Sequence, residues 1–185
     1  VTDLANRLGD RWRVVPVQRI EDLQDAVHGA GLEATQMSRG PLGGSLAFAE
    51  RDGILYSSGL IGGRVGLSGP LSREMVTFGL GLRIPTGTWH WYEEVSTGSI
   101  GVFLPGDEHD SLYMPGSLYA TATMSFERLT VAAAREELVL DRETLGGSGF
   151  QSLKVSPALV APITRQMERV HSGQLATGHL GPPSA

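Results

Sequence analysis

The chain has 185 residues, with 15 Lys and Arg against 20 Asp and Glu, a formal net charge of −5 and no cysteine. That length suits one ordinary domain with a helical appendage; the missing thiols exclude a disulfide framework and a cysteine nucleophile, and the acidic balance leaves no cationic footprint for a phosphate backbone. No run approaches the roughly 20 apolar residues of a membrane span and Val1–Arg13 lacks a signal-peptide layout, so the expectation is a soluble, cytoplasmic protein with no membrane partner.

Twenty-five glycines with few aromatics favour short strands and tight turns over a helical protein. Val1–Val17 has no sustained period, and residues 1–19 read as an arm that packs on something else through Arg11, Trp12 and Arg13. Ile20, Leu23 and Val27 fall at helical spacing and Gly29 follows as a stop, which predicts a short helix. Strand-length runs then follow at Leu32–Met37, Ser45–Glu50, Ile54–Ile61, Met75–Ile84, Ile100–Leu104 and Leu118–Phe126, separated by glycine, proline and aspartate turns. Strands at such regular spacing predict a sandwich or barrel.

Two of these runs have informative faces. In Leu118–Phe126 the residues Leu118, Ala120, Ala122, Met124 and Phe126 share one side, and Tyr119, Thr121, Thr123 and Ser125 the other, the pattern of a half-buried strand. In Met75–Ile84 the bulky Val76, Phe78, Leu80, Leu82 and Ile84 oppose the small Thr77, Gly79 and Gly81. A bulky face builds core, while a glycine-lined face either leaves room for a guest or marks a bulge or tight bend. Beyond Phe126 the pattern turns helical at Val131–Leu138, and Ser156 and Pro157 then supply an N-cap and first position for a helix reaching His171. Val160, Ile163, Met167 and Val170 follow the 3,4,3 spacing of a seam, to be buried against a second subunit or back on the barrel, with Pro162 kinking the helix or delaying its start. Gln174–Ala185 reads as linker.

Groups suited to chemistry are few. His90 lies beside Glu93 and Glu94, and His109 between Glu108 and Asp110. The segment Pro105-Gly106-Asp107-Glu108-His109 resembles the second metal motif of cupin barrels, but the closely spaced histidine pair and glutamate of the first motif are missing, so neither a metal nor a cofactor is expected and the segment reads as a turn with solvated charges. The serines lack a strained elbow, and the glycine clusters lack the strand–loop–helix setting of a phosphate cradle. No catalytic residue is assigned. Trp89, His90, Trp91 and Tyr92 form an aromatic run in which, on an extended chain, the two tryptophans share a face. Trp89, Trp91 and Tyr92 are candidates for the wall of a ligand pocket, or the tryptophans plug a barrel end. Arg83 shares a face with Gly79 and Gly81 and is either the partner of a guest's carboxylate or a surface residue.

The order of Gln36-x-x-x-Gly40-Pro41-Leu42-x-Gly44-x-Leu46, Trp91 followed by Gly98, Pro105-Gly106-x-Glu108-x-Asp110 and Pro115-Gly116 resembles the N-terminal domain of AraC-type bacterial transcription regulators, in the branch that includes ethanolamine-operon regulators. The likeness runs from about Ile20 to Val170. It implies a mainly β (α+β) fold: a cupin-like double-stranded β-helix barrel over 20–126 with a short N-terminal helix, C-terminal helices over 127–173 that pair two subunits, and a linker over 174–185. It also implies a small-molecule effector, a homodimer, and DNA contacted only through a C-terminal helix-turn-helix domain absent from this sequence. It transfers no effector identity. A small stand-alone cupin enzyme, an isomerase or dioxygenase, is the alternative, and a structural or partner-binding module comes third.

Overall fold

Side chains alternate across a strand, so the strands with two apolar or small faces take the centre of a sheet and those with one polar face take its margins. The computed structural model describes residues 12–140, 145–151 and 154–173. Among them, β1 (Arg13–Pro16), β3 (Gly44–Arg51), β4 (Ile54–Ile61), β6 (Val76–Arg83), β9 (Ile100–Phe103), β11 (Ser117–Met124) and β12 (Gly149–Phe150) form a seven-stranded sheet in the order β1-β3-β4-β11-β6-β9-β12. β2 (Glu33–Gln36), β5 (Val65–Pro70), β7 (Trp89–His90), β8 (Glu93–Glu94) and β10 (Glu108–Tyr113) form a five-stranded sheet in the order β2-β5-β10-β7-β8. The pairings within both sheets are antiparallel.

One apolar cluster joins the sheets: Leu46, Phe48, Ile61, Phe103 and Tyr119 from the larger meet Val65, Leu67 and Tyr113 from the smaller. Leu23, Ala26 and Val27, on and after a single 3-10 helix at Ile20–Asp25, close one end of this cluster. The outer face of the larger sheet is covered by two helices. α1 (Phe126–Arg135), capped by the Ser125 side chain accepting from the Arg128 amide, sets Leu129 against Val76, Val102 and Met124. α2 (Pro157–His171) sets Val160, Met167 and Val170 against Ala47, Leu82 and Leu118.

Polar bonds hold the second half of α2. The Thr164 hydroxyl lies 2.9 Å from the Val160 carbonyl of its own helix and 3.2 Å from the Leu82 carbonyl, and Arg83 Nη1 meets Glu168 Oε1 at 2.7 Å. His171 lies 2.7 Å by its Nδ1 from Ser45 Oγ and 3.0 Å by its Nε2 from Ser58 Oγ, while Ser58 donates to the Tyr119 carbonyl at 2.6 Å. Because the Ser58 proton is committed to that carbonyl, its oxygen accepts from Nε2–H and Nδ1 accepts from Ser45.

Several expectations need correction. β11 is buried on both faces, with Tyr119, Thr121 and Thr123 turned to the second sheet and Thr77 bonded to Thr123 at 2.9 Å, because it lies inside the larger sheet between β4 and β6. The arm is partly an element: Arg13–Pro16 pairs with β3 and Trp12 is buried beside α2. α1 starts at Phe126, ahead of the expected Val131, and Pro162 lies inside a continuous α2 without delaying its start. Glu108–Tyr113 is a strand, so only the first part of the charged segment is a turn. Residues 1–11 of the arm and the linker at 174–185 lie outside the described residues.

Candidate functional site

A narrow cavity opens between the sheets, with a water-occupiable volume of about 40 Å³ inside about 540 Å³ of atom-free space counted out to the mouth. β6 supplies its small side. Gly79 and Gly81 line it together with Leu80 and Ile84 of the bulky face, while Val76, Phe78 and Leu82 belong to the clusters under the helices. The room is limited: a Cβ on Gly79 would lie 3.2 Å from the Phe103 ring, and one on Gly81 would lie 2.7 Å from Ile84 Cγ1 and 3.0 Å from the Ser96 carbonyl. The two glycines therefore permit close approach as much as they leave space.

β7 and β10 supply the polar side. On β10, His109, Ser111 and Tyr113 turn inward while Glu108 and Asp110 are exposed, so a strand whose sequence looks uniformly polar has a buried and a solvated face. His90 on β7 stands opposite Ser111 and also turns inward. The two imidazoles lie 4.9 Å apart by ring centres, within a cage of Tyr113 at 5.1 Å and Phe150 at 4.9 Å from His90, and Phe103 at 5.1 Å from His109. Nδ1 of His90, Nδ1 of His109 and Oγ1 of Thr121 are buried without a hydrogen-bond partner. Burial pushes the pKa of both histidines down, His109 to about 4, and the charge repulsion of His109 lowers His90 further, so both are neutral at pH 7. Burial raises the Tyr113 and Tyr119 phenols, and the Tyr119 hydroxyl donates to the Ala26 carbonyl at 2.6 Å. Among the described residues, no Asp, Glu, Lys or Arg lines this cavity. Among the described residues there is no group of three His, Asp or Glu side chains arranged to hold a metal ion.

The aromatic run does not stay extended. Trp91 adopts φ 49°, a left-handed conformation that breaks the alternation after two residues and leaves Trp89 and Trp91 on no common strand face. Its amide donates to the Asp110 carbonyl at 2.7 Å and its indole Nε1–H to the Glu108 carbonyl at 3.1 Å. Its ring packs 5.6 Å from Phe103 and 5.7 Å from His109, behind the cavity wall. Trp89 is 41% exposed and, with Trp91, Met37 and Leu112, borders an open groove on the outer face of the smaller sheet; Tyr92 is 95% exposed and borders neither space. Arg83 does not reach the cavity, because its guanidinium is engaged by Glu168 and by the Gly116 carbonyl at 3.0 Å. Thus, of the expected pocket residues, Gly79 and Gly81 line the interior cavity, and His90 and His109, which the sequence offers as metal ligands or as part of a solvated turn, line it too.

No family model matches this sequence, and no curated protein matches it. Among solved structures, the chain is similar to the crystal structure of the AraC-like transcriptional activator CuxR, with a TM-score of 0.54, 10% sequence identity, and coverage of 94% of this chain and 73% of that one. The likeness is one of fold. No helix among the described residues is long and apolar enough to cross a membrane.

The seam of α2 is occupied inside the subunit. Val160, Met167 and Val170 are buried against the larger sheet, whereas Ile163 is 37% exposed. The four residues therefore do not form one surface available to a second copy. Three of them serve the chain's own core because helical spacing places them towards β6 and β3.

Proposed function

We propose that this chain is the effector-sensing domain of an AraC-type transcription regulator: a cupin-like barrel that takes a small molecule between its sheets and, as a homodimer, sets the DNA binding of a helix-turn-helix domain outside this sequence. The observation that carries the reading is the interior cavity with buried polar atoms awaiting partners, in a fold shared with an AraC-like activator. Leaving a buried donor or acceptor unmade costs about 1–3 kcal/mol, so such atoms are uncommon where nothing is to be bound. The volume is small, and a metabolite-sized guest enters with movement of the Phe103 and Phe150 rings. Pairing of two subunits uses the outer face of α2, where Leu159 and Ile163 are exposed four residues apart, in place of the buried seam.

The test has two parts. A metabolite library is screened against the purified chain by thermal shift, with hits checked by Trp91 fluorescence, since that indole packs against Phe103 and His109. A hit whose effect disappears on filling the cavity with Gly79→Leu supports the reading; a library without hits counts against it. In sedimentation, Leu159→Glu with Ile163→Glu should yield monomers of unchanged melting temperature, and an unaltered dimer would exclude this face.

A further inference from the structure

The cavity has a chemical bias. Among the described residues its lining holds no Asp, Glu, Lys or Arg, and the titratable groups in it are His90, His109, Tyr113 in contact with His90 and, from β11, Tyr119. The carboxylates on the neighbouring strands are exposed: Glu108 and Asp110 on the outer face of β10, and Glu94 and the His90-paired Glu93 on β8 at the edge of the sheet. Any ion entering such a space loses hydration and needs a countercharge made on the spot. An ammonium would find none, because the two phenols are pushed up and no carboxylate is present. An acid finds two bases. The apolar part of the lining, with Phe103, Phe150, Leu67 and Leu71, fits a guest that is mostly hydrocarbon.

We infer that the cavity takes a small monocarboxylic acid with an apolar body, its carboxyl group bound by His90, His109 and Thr121 and its hydrocarbon body by Phe103 and Phe150. This deepens the effector-sensing reading and rests on it. The proton balance is definite. At pH 7 the free acid is an anion and both imidazoles are neutral, so complex formation takes up one proton from solvent, shared between an imidazole and the carboxyl group, and the net charge entering the cavity is zero. Thr121 Oγ1–H donates to the second carboxyl oxygen.

The probes are benzoate, benzamide and benzylamine, which share a ring and differ as acid, neutral amide and cation. Titration calorimetry of each into the whole chain, in two buffers of unlike ionisation enthalpy, counts protons. The expected result is benzoate tightest, with one proton taken up, and affinity falling about tenfold per pH unit above pH 7. His109→Gln should lose at least tenfold in benzoate affinity and lose the proton uptake, and His109→Phe, which keeps the ring's volume, should do the same if the glutamine variant folds poorly. Equal or tighter binding of benzamide or benzylamine, or benzoate binding without proton uptake, overturns the acid assignment while leaving an effector cavity in place. Failure of all three at millimolar concentration also overturns it, and the broader library then decides separately whether any effector binds. Zinc or copper ions alone binding stoichiometrically and being lost in His109→Gln would identify the pair as a metal site and overturn the proposal.

Discussion

His109 is buried and His171 half-buried, and loss of hydration lowers the pKa of each to about 4, yet their surroundings are opposite. His171, at the end of α2, has a hydroxyl for each ring nitrogen, and the chain of donation runs from Ser45 through His171 and Ser58 to the Tyr119 carbonyl. His109, facing the cavity, has rings around it and a buried Nδ1 with no partner. The same loss of hydration is thus offset in one region and left open in the other. A buried polar group that is fully bonded belongs to the architecture, whereas one left unbonded in a cavity points to a missing guest. The contrast extends to the faces of β6, where one side is filled by helices and the other is kept small.

The sharpest way to probe the helix-covered side is Val170→Glu. Val170 is fully buried between α2 and the sheet, so a carboxylate there has neither water nor partner, and a loss above about 4 kcal/mol is expected in denaturant unfolding. Acidification comes next and acts on both regions at once. The folded pKa values of His90, His109 and His171 lie below the unfolded value, so between these limits the unfolded chain binds more protons, and stability falls as pH drops from about 6.5 toward 4. The melting temperature should therefore be flat above pH 7 and decline below it; a rise on acidification would contradict neutral burial.

His171→Ala should cost about 2–3 kcal/mol, because it removes the bonds to Ser45 and Ser58 and leaves a void at the helix end. His109→Phe should change stability by less than about 1 kcal/mol, or raise it, since it keeps the ring and removes an unpaired polar atom. Comparable losses in these last two variants would erase the distinction between the two regions.

The parts of this molecule legible in its sequence are those where hydrophobic contrast is strong. The bulky residues of Met75–Ile84 follow from period, the strand at Ile54–Ile61 from its length between turns, and the helix from Pro157 to His171 from its cap and spacing together. β10 does not, because Glu-His-Asp-Ser alternates between polar types, and nothing but burial distinguishes His109 from Glu108. β5 was hidden differently: Val65 and Leu67 do alternate with Gly66 and Ser68, but Gly69 and Pro70 suggest a break. For Trp89 and Trp91 the reasoning from parity failed at one dihedral angle, since a tryptophan with positive φ leaves no mark in the sequence. On α2 the 3,4,3 spacing describes a stripe and carries no information about which surface covers it, and Ile163 departs from the three buried members.

The two-residue strand β12 gives the molecule a mechanical property. Phe150 packs its ring on His90, Trp91 and Phe103, and among the described residues its strand is held to β9 by the pairing of Gly149 and Phe150 and by the Gln151 amide to the Ile100 carbonyl. A few residues later the Val155 amide bonds to the Gly98 carbonyl, and Ser156 begins α2. A ring carried on the margin of the sheet by so short a ladder yields more readily than one on a central strand, so Phe150 is the side of the cavity wall that gives first when a guest enters.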